Sequence, residues 1–324
     1  MRNIGIEYPA RGEMRFYDLG SAGQLKPTEL LMRTHYSGIT NGTERHAMLA
    51  EYGWKVFPGR HGYQHVGTIE AVGSQVQGFK PGDWVFFGRY VGHRGWHVQD
   101  VAWAHMLWYD SHLCTVLPGD VDYKCCALLG AAGVAMRGIR RCRVGPAQNV
   151  WVAGAGLIGQ FAAQSARAVG ARVTVSDVNE PRLSIARELG AHRVVNASEA
   201  NGTDLLKEGG PYDCIVDACG VESLFLDIHE AGLLAYRGVI AALAVRSETR
   251  FHWSTFHQRE GSIEVSCHFS LDDLRVVLHF VRQGVIRIEP LVSHFVPIDQ
   301  APAIYETLRD RPDELLGVIF DWTS

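Results

Sequence analysis

Two textures of hydrophobic and polar positions divide the chain. Through about residue 120, short β-branched and aromatic runs are separated by Gly, Pro and Asn, as in HVGTIEAVG (65–73), the turn FKPGD (79–83) and WVFF (84–87). This predicts a compact β-rich domain. From Val121 the texture becomes helical, rich in Ala, Leu, Gly and Arg, and from Asn149 strands alternate with helices. The units are NVWVAGA (149–155), the helix GLIGQFAAQSARAVG (156–170), RVTVSD (172–177), the helix EPRLSIARELG (180–190), RVVNA (193–197) and DCIVDACG (213–220). Such alternation predicts an α/β half built on a parallel sheet with right-handed crossovers. After RGVIAALAV (237–245) come IEVSCHF (263–269), an amphipathic helix at LDDLRVVLHFVRQG (271–284) and a closing strand LLGVIFDW (315–322), which fit either half.

Length and composition narrow the reading. At roughly 150 residues per domain, 324 residues suit two domains. Hydrophobic residues at 47% and charged residues at 20% are ordinary globular usage. The net charge of −4 and the lack of any long basic run favour neither nucleic acid nor an anionic membrane surface, so a small molecule is the expected partner. No apolar stretch nears the ~20 residues that cross a bilayer. The opening MRNIGIEYPARGEMRF interrupts any signal-peptide core with Arg and Glu, so the cytoplasm is the expected compartment. The seven cysteines are scattered, with no C-x-x-C pair, which excludes the commonest structural zinc lobe and reads as reduced packing residues.

The most specific local signal is Gly154-Ala155-Gly156-Leu157-Ile158-Gly159, a G-x-G-x-x-G that follows a strand, opens a helix and precedes an acid, Asp177, at the end of the next strand. Gly154 allows the tight turn, Gly156 removes a Cβ from the path of a pyrophosphate, and Gly159 lets helix and strand pack closely. The helix N-terminus, with Leu157 and Ile158, then receives the phosphates. A carboxylate at Asp177 accepts from ribose hydroxyls and repels a 2′-phosphate, so NAD is expected over NADP, with Arg182 as the nearby cation that weakens the preference. The competing reading of Asp177 is a helix N-cap.

With this fingerprint in mid-chain behind a β domain, the sequence resembles the medium-chain dehydrogenase/reductase superfamily. The resemblance rests on SGITNGTERH (37–46), PGRHGYQHVGTIEAVG (58–73), GFKPGDWV (78–85), VWVAGAGLIG (150–159), YDCIVDACG (212–220) and FVPIDQAPAIYETL (295–308). SGITNGTE is most similar to the polyol and bacteriochlorophyllide dehydrogenase branch. The resemblance implies a GroES-like catalytic domain formed by residues 1–128 and 268–324 around a Rossmann NAD-binding domain at 129–267. It also implies assembly as a dimer or tetramer. Where zinc-using members carry G-I-C-G-S/T-D and G-H-E, this chain reads Gly38-Ile39-Thr40-Asn41-Gly42-Thr43-Glu44 and Gly62-Tyr63-Gln64. The thiolate becomes Thr40 or Asn41, the imidazole Tyr63, the carboxylate Gln64, and the position of a further ligand Gly130. None is a good zinc ligand, so no catalytic zinc is expected. A displaced site among His35, His46, His61 and His65 is the alternative.

Alcohol oxidation still requires loss of the hydroxyl proton. Tyr63 is the leading candidate to hold the substrate oxygen, and its other reading is a packed aromatic with a satisfied hydroxyl. His65 is the alternative base, sharing a face with Tyr63 if the segment is extended. By resemblance, Thr43 and His46 pass the proton to solvent; otherwise Thr43 caps a helix starting near Glu44. Glu44 reads as a second carboxylate behind the site or as a solvated first-turn residue. Trp253, His252, His257, Tyr90 and Arg89 fall where relatives line the substrate pocket. The expected function is zinc-independent, NAD-linked oxidation of a secondary alcohol or polyol to a ketone. The alternatives are a reductase of an activated C=C bond or quinone, and a non-catalytic nucleotide-binding sensor.

Overall fold

The computed structural model describes residues 3–51, 53, 56–101 and 114–324. The chain divides into two compact units: Met1–Gly130 with His268–Leu274 and Val292–Ser324, and Ala131–Cys267 with Arg275–Leu291.

The first unit begins with an antiparallel pair, β1 (Ile4–Glu7) and β2 (Arg15–Asp18). Its main sheet is organised by β3 (Glu29–Gly38), whose alternate residues Leu30, Met32 and Thr34 turn inward, the period-2 signature of a half-buried strand. Helix α1 (Asn41–Met48) follows directly. Strand β4 (His65–Val72) pairs with β3, β5 (Trp84–Phe87) with β4, and β7 (Cys114–Val116) with β5, while β6 (Trp96–Asp100) lies on β3.

The second unit opens with α2 (Leu129–Arg141) and runs through β8 (Asn149–Ala153), α3 (Leu157–Ala168), β9 (Arg172–Asp177), α4 (Glu180–Glu188), β10 (Arg193–Asn196), α5 (Gly202–Gly209), β11 (Tyr212–Asp217), α6 (Leu224–Glu230) and β12 (Leu234–Ala242). Helix α7 (Trp253–His257), β13 (Ser262–Val265) and, from Arg275 onward, α8 (Leu271–Arg282) complete it. The six strands are parallel in the order β10-β9-β8-β11-β12-β13. This is the doubly wound arrangement whose strand order reverses between β8 and β11. The sheet core is apolar on both faces, as a parallel sheet covered by helices requires, with Val150, Val152, Val173, Val175, Ile215 and Val216 inaccessible.

The chain then returns to the first unit with β14 (Val292–Pro297), α9 (Ala301–Asp310) and β15 (Gly317–Asp321); β15 pairs antiparallel with β3 and parallel with β14. The apolar cluster of Ile6, Tyr8, Ile39, Met48, Tyr305, Phe320 and Trp322 joins the two chain ends. Residues 275–291, expected with the catalytic domain, instead group with the second unit. There the Gln164 side chain donates to the Arg287 carbonyl and accepts from its amide. Among the described residues no helix is long and apolar enough to cross a membrane. Cys214 and Cys126 are packing residues as expected, but Cys219 and Cys267 are exposed, because each lies just past a strand end where the chain leaves the sheet.

Three imidazoles lie inside the first unit. His65 and His97 are ring to ring at 4.2 Å, and His65 and His93 at 5.6 Å. Burial, then the neighbouring histidine and Arg94, hold the pKa of both His65 and His97 well below the ordinary imidazole value. The unfolded chain therefore binds more protons than the folded one below about pH 6.5, and stability falls as pH drops through that range, by up to about 1.4 kcal/mol per pH unit for each group. Among the described residues neither ring nitrogen of His97 has a hydrogen-bond partner, so His97→Phe forfeits none of the described bonds. Chemical denaturation between about pH 8 and pH 5 should show His97→Phe as stable as the parent at the alkaline end, with a shallower loss on acidification. An unaltered slope refutes this account.

Candidate active site

In the second unit, β8 delivers the chain into the glycine turn. Gly154 has φ +100°, a left-handed conformation that favours glycine, and a Cβ there would meet the Cys219 Cβ at 2.9 Å. A Cβ on Gly159 would lie 1.8 Å from the Gly154 carbonyl oxygen, so the close packing of helix and strand depends on it. Gly156 faces open space and is the N-cap of α3, with no side chain capping the helix. The first-turn amides, Leu157 and Ile158 among them, are the donors that an α-helix leaves without internal partners. A cavity of about 510 Å³ adjoins the turn, bounded in part by Trp151, Gly154, Ser176, Asp177, Thr203 and Cys219.

Asp177 is bound into this turn. Its Oδ2 accepts from the Ala155 amide at 2.6 Å, and its Oδ1 from the amides of Val178 at 2.8 Å and Asn179 at 2.9 Å. The N-cap of α4 is Asn179, whose side chain accepts from the Arg182 amide, so the cap reading of Asp177 is corrected. The strand ends at Asp177, and the helix begins only after two further residues. Arg182 is the residue so capped, and its carbonyl accepts from the Gln160 side chain of α3 at 2.8 Å.

In the first unit, four residues from three segments distant in sequence converge: Thr40, Tyr63 with Gln64, and Gly130. The buried Gln64 donates through Nε2 to Thr40 Oγ1 at 3.0 Å, whereas Asn41 is directed to the carbonyls of Leu315 and Leu316. Of the two, Thr40 is the one that meets Gln64. At Gly130 an added Cβ would lie 2.8 Å from both Tyr63 Cε2 and Gln64 Cγ, so these two side chains fill the space beside Gly130. Hydroxyl, amide, phenol and glycine do not make a zinc site: none is a thiolate, imidazole or carboxylate, and Gln64 and Thr40 are bonded to each other. Among the described residues, no three His, Cys, Asp or Glu side chains stand where they could hold a metal ion.

Tyr63 is 3% exposed; its ring stacks on Tyr90 at 5.7 Å and meets His268 edge-on at 4.3 Å. Tyr90 is joined by its hydroxyl to His61 Nδ1 at 3.0 Å. His65 does not join this group, correcting its reading as a base beside Tyr63. Its nitrogens lie 3.1 Å from the Gly92 carbonyl and 3.4 Å from that of Phe87, with the ring wholly buried. Strand β4 starts at His65, so strand alternation does not extend back to Tyr63. Thr43 and His46 stand three residues apart within α1, on one helix face. The cap of α1 is Thr40, which displaces Thr43 from that role, and His46 Nδ1 is paired with Glu51.

Glu44 is neither solvated nor loosely placed. It is inaccessible, accepting from the Thr40 amide at 2.9 Å and the Tyr305 hydroxyl at 2.6 Å, with His93 Nε2 at 3.0 Å and the Tyr8 hydroxyl at 3.4 Å. Burial first, then the Glu44 charge, push both phenols well above their usual range, so they remain donors. His93 and His268 escaped the sequence reading because their partners lie 49 and 205 positions away, beyond any local pattern. Trp253 is 71% exposed and His252 stacks on His229 at 4.2 Å, both within the second unit.

Comparison with known proteins agrees with this architecture. A family model described as "Alcohol dehydrogenase GroES-like domain" matches residues 26–177, and one described as "Zinc-binding dehydrogenase" matches residues 158–283. The chain is 26% identical to a sorbitol dehydrogenase of Macaca fascicularis, covering 95% of this chain and 93% of that protein. It is 29% identical to an L-threonine 3-dehydrogenase of Idiomarina loihiensis, over 76% of this chain and 78% of the other. A solved alcohol dehydrogenase of Escherichia coli CFT073, complexed with NADH, superposes with a TM-score of 0.85 at 19% identity, covering 98% of this chain and 99% of that one.

The packing at Gly130 gives a direct test. Gly130→Ala should displace Tyr63 and Gln64 and cost about 1–3 kcal/mol, as overpacking of a filled interior does. Urea denaturation measures the cost, and a variant as stable as the parent would show that this space is not filled.

Proposed function

The chain belongs to the medium-chain dehydrogenase/reductase superfamily, in its alcohol- and polyol-dehydrogenase-like part, and from that membership we propose that it oxidises a secondary alcohol or polyol to a ketone with NAD and without zinc. It is an oxidoreductase acting on CH–OH groups with a nicotinamide cofactor. The proposal adds the choice of NAD, the absence of a catalytic metal, the class of alcohol, cytoplasmic location and assembly as a dimer or tetramer. The observation that carries it is the direct Gln64–Thr40 bond, with Tyr63 packed against Gly130 where a metal and its ligands would otherwise stand.

When bound, the oxidised nicotinamide supplies the hydride acceptor. The chain's part is to hold the alcohol oxygen and remove its proton. Tyr63 is assigned to the oxygen, donating to the ketone or accepting from the alcohol through its hydroxyl. A phenol with a pKa near 10 is a poor base at neutral pH, so the proton needs an exit. Thr43 and His46 on one face of α1 supply it, and His46 Nδ1 is paired with Glu51. Gln64 is a positioning residue: tied to Thr40, it packs with Tyr63 around Gly130. Gly154, Gly156 and Gly159 admit the pyrophosphate, the amides of Leu157 and Ile158 receive it, and Asp177 opposes a 2′-phosphate despite the nearby Arg182.

Tyr63→Phe should lower turnover by at least about 100-fold, the scale of a lost acid–base group, while NADH titration shows nearly unchanged affinity. Unchanged turnover clears Tyr63 of this role. NADH should bind at least about tenfold tighter than NADPH, about 1.4 kcal/mol, in the same titration, and the reverse order overturns the assignment of Asp177. Activity should persist after exhaustive chelation, and stoichiometric zinc in the purified protein, measured by atomic absorption, would end the metal-free account.

A further inference from the structure

The C-terminal edge of the parallel sheet carries a buried ion pair that neither the fingerprint nor the oxygen site uses. Asp217 ends β11 with its side chain inaccessible, and Arg246, four residues beyond β12, pairs with its Oδ2 through Nη2. The pair is tied down on every side. The amides of Leu243 and Ala244 donate to the Asp217 carbonyl at 3.2 and 3.1 Å, and the Gly220 amide donates to Oδ1 at 3.1 Å. The guanidinium carbon lies 5.4 Å from the centre of the Phe225 ring. The other guanidinium nitrogen, Nη1, is buried with no acceptor among the described residues. A buried charged donor without a partner is costly, and none of the described residues meets it.

Its place in the fold says what could. The segment 217–220 abuts the phosphate turn, since a Cβ on Gly154 would touch Cys219 and Ala218. A dinucleotide held by Asp177 at the end of β9, with its pyrophosphate at the turn after β8, extends across the switch point onto the edge formed by β11 and β12. That edge is where Arg246 stands. The Asp217–Arg246 pair is neutral as a unit, so it suits a neutral oxygen acceptor better than a further anion, whose charge Asp217 would oppose.

We propose that Arg246, held by Asp217, is a positioning residue that donates through its guanidinium to a neutral oxygen of the nicotinamide riboside half of the cofactor, the carboxamide or a ribose hydroxyl. The inference rests on the nicotinamide-dependent reading above. Calorimetric titration of the full-length protein with NADH, ADP-ribose and ADP tests it. Arg246→Lys keeps a cation opposite Asp217 but loses the second nitrogen of the planar fork, and Arg246→Met removes both charge and donors.

Each variant should bind NADH at least tenfold more weakly than the parent and bind ADP within twofold of it. Loss on ADP-ribose as well assigns the ribose, and loss confined to NADH assigns the carboxamide. If Arg246→Lys retains parental NADH affinity, or if ADP weakens as much as NADH, the inference falls. A parent protein that binds none of the three overturns the dehydrogenase reading together with it, whereas tight parental binding with indifferent variants overturns the inference alone.

Discussion

A single buried carboxylate governs the first unit. Glu44 sits in the first turn of α1 with no access to water, and four groups meet it: the Thr40 amide, His93, and the phenols of Tyr305 and Tyr8. A charge so placed is tolerated only when its acceptor sites are filled, and removing any partner would leave an uncompensated ion. The consequence is geometric. Tyr8 follows β1, His93 precedes β6 and Tyr305 lies in α9, so satisfying one carboxylate draws the two ends of the chain together around α1. The helix carrying Thr43 and His46 is thereby fixed, and so is Thr40, which Gln64 engages from the other side. His93 extends the network to Ser37, which also accepts from the Trp322 indole at 2.9 Å.

The candidate site is built of neutral polar groups that satisfy each other. A threonine hydroxyl and a glutamine amide close a hydrogen bond of 3.0 Å, and the missing side chain at Gly130 leaves the volume that Tyr63 and Gln64 fill. The result is a packed neutral cluster with a phenol in it, bordered by Tyr90 and His268. His268 has φ +59°, a left-handed conformation uncommon for a residue with a side chain, and it accompanies the close ring contact with Tyr63. Its backbone strain is consistent with a residue held for position.

The nucleotide unit shows the complementary strategy. The glycine turn is kept open by Gly156 and fastened by Asp177, whose carboxylate already accepts three backbone amides. Asp177 therefore holds the turn. It is a fixed acceptor because the ends of β8 and β9 converge on it.

How much of this was legible depends on the range of the interactions. The alternation of strands and helices from Asn149, the glycine turn with its acid, and the lack of a thiolate, imidazole or carboxylate at Thr40, Tyr63 and Gln64 are local patterns, read within a few residues of sequence. Those the sequence determined by itself. Whether Thr40 or Asn41 meets Gln64, whether His65 faces Tyr63 or two carbonyls, whether Glu44 is solvated, and that Arg246 pairs with Asp217 were decided only by the tertiary structure. Each depends on which segments, tens to hundreds of residues apart, are pressed together, and a buried polar group takes its role from the partner that desolvation forces it to find.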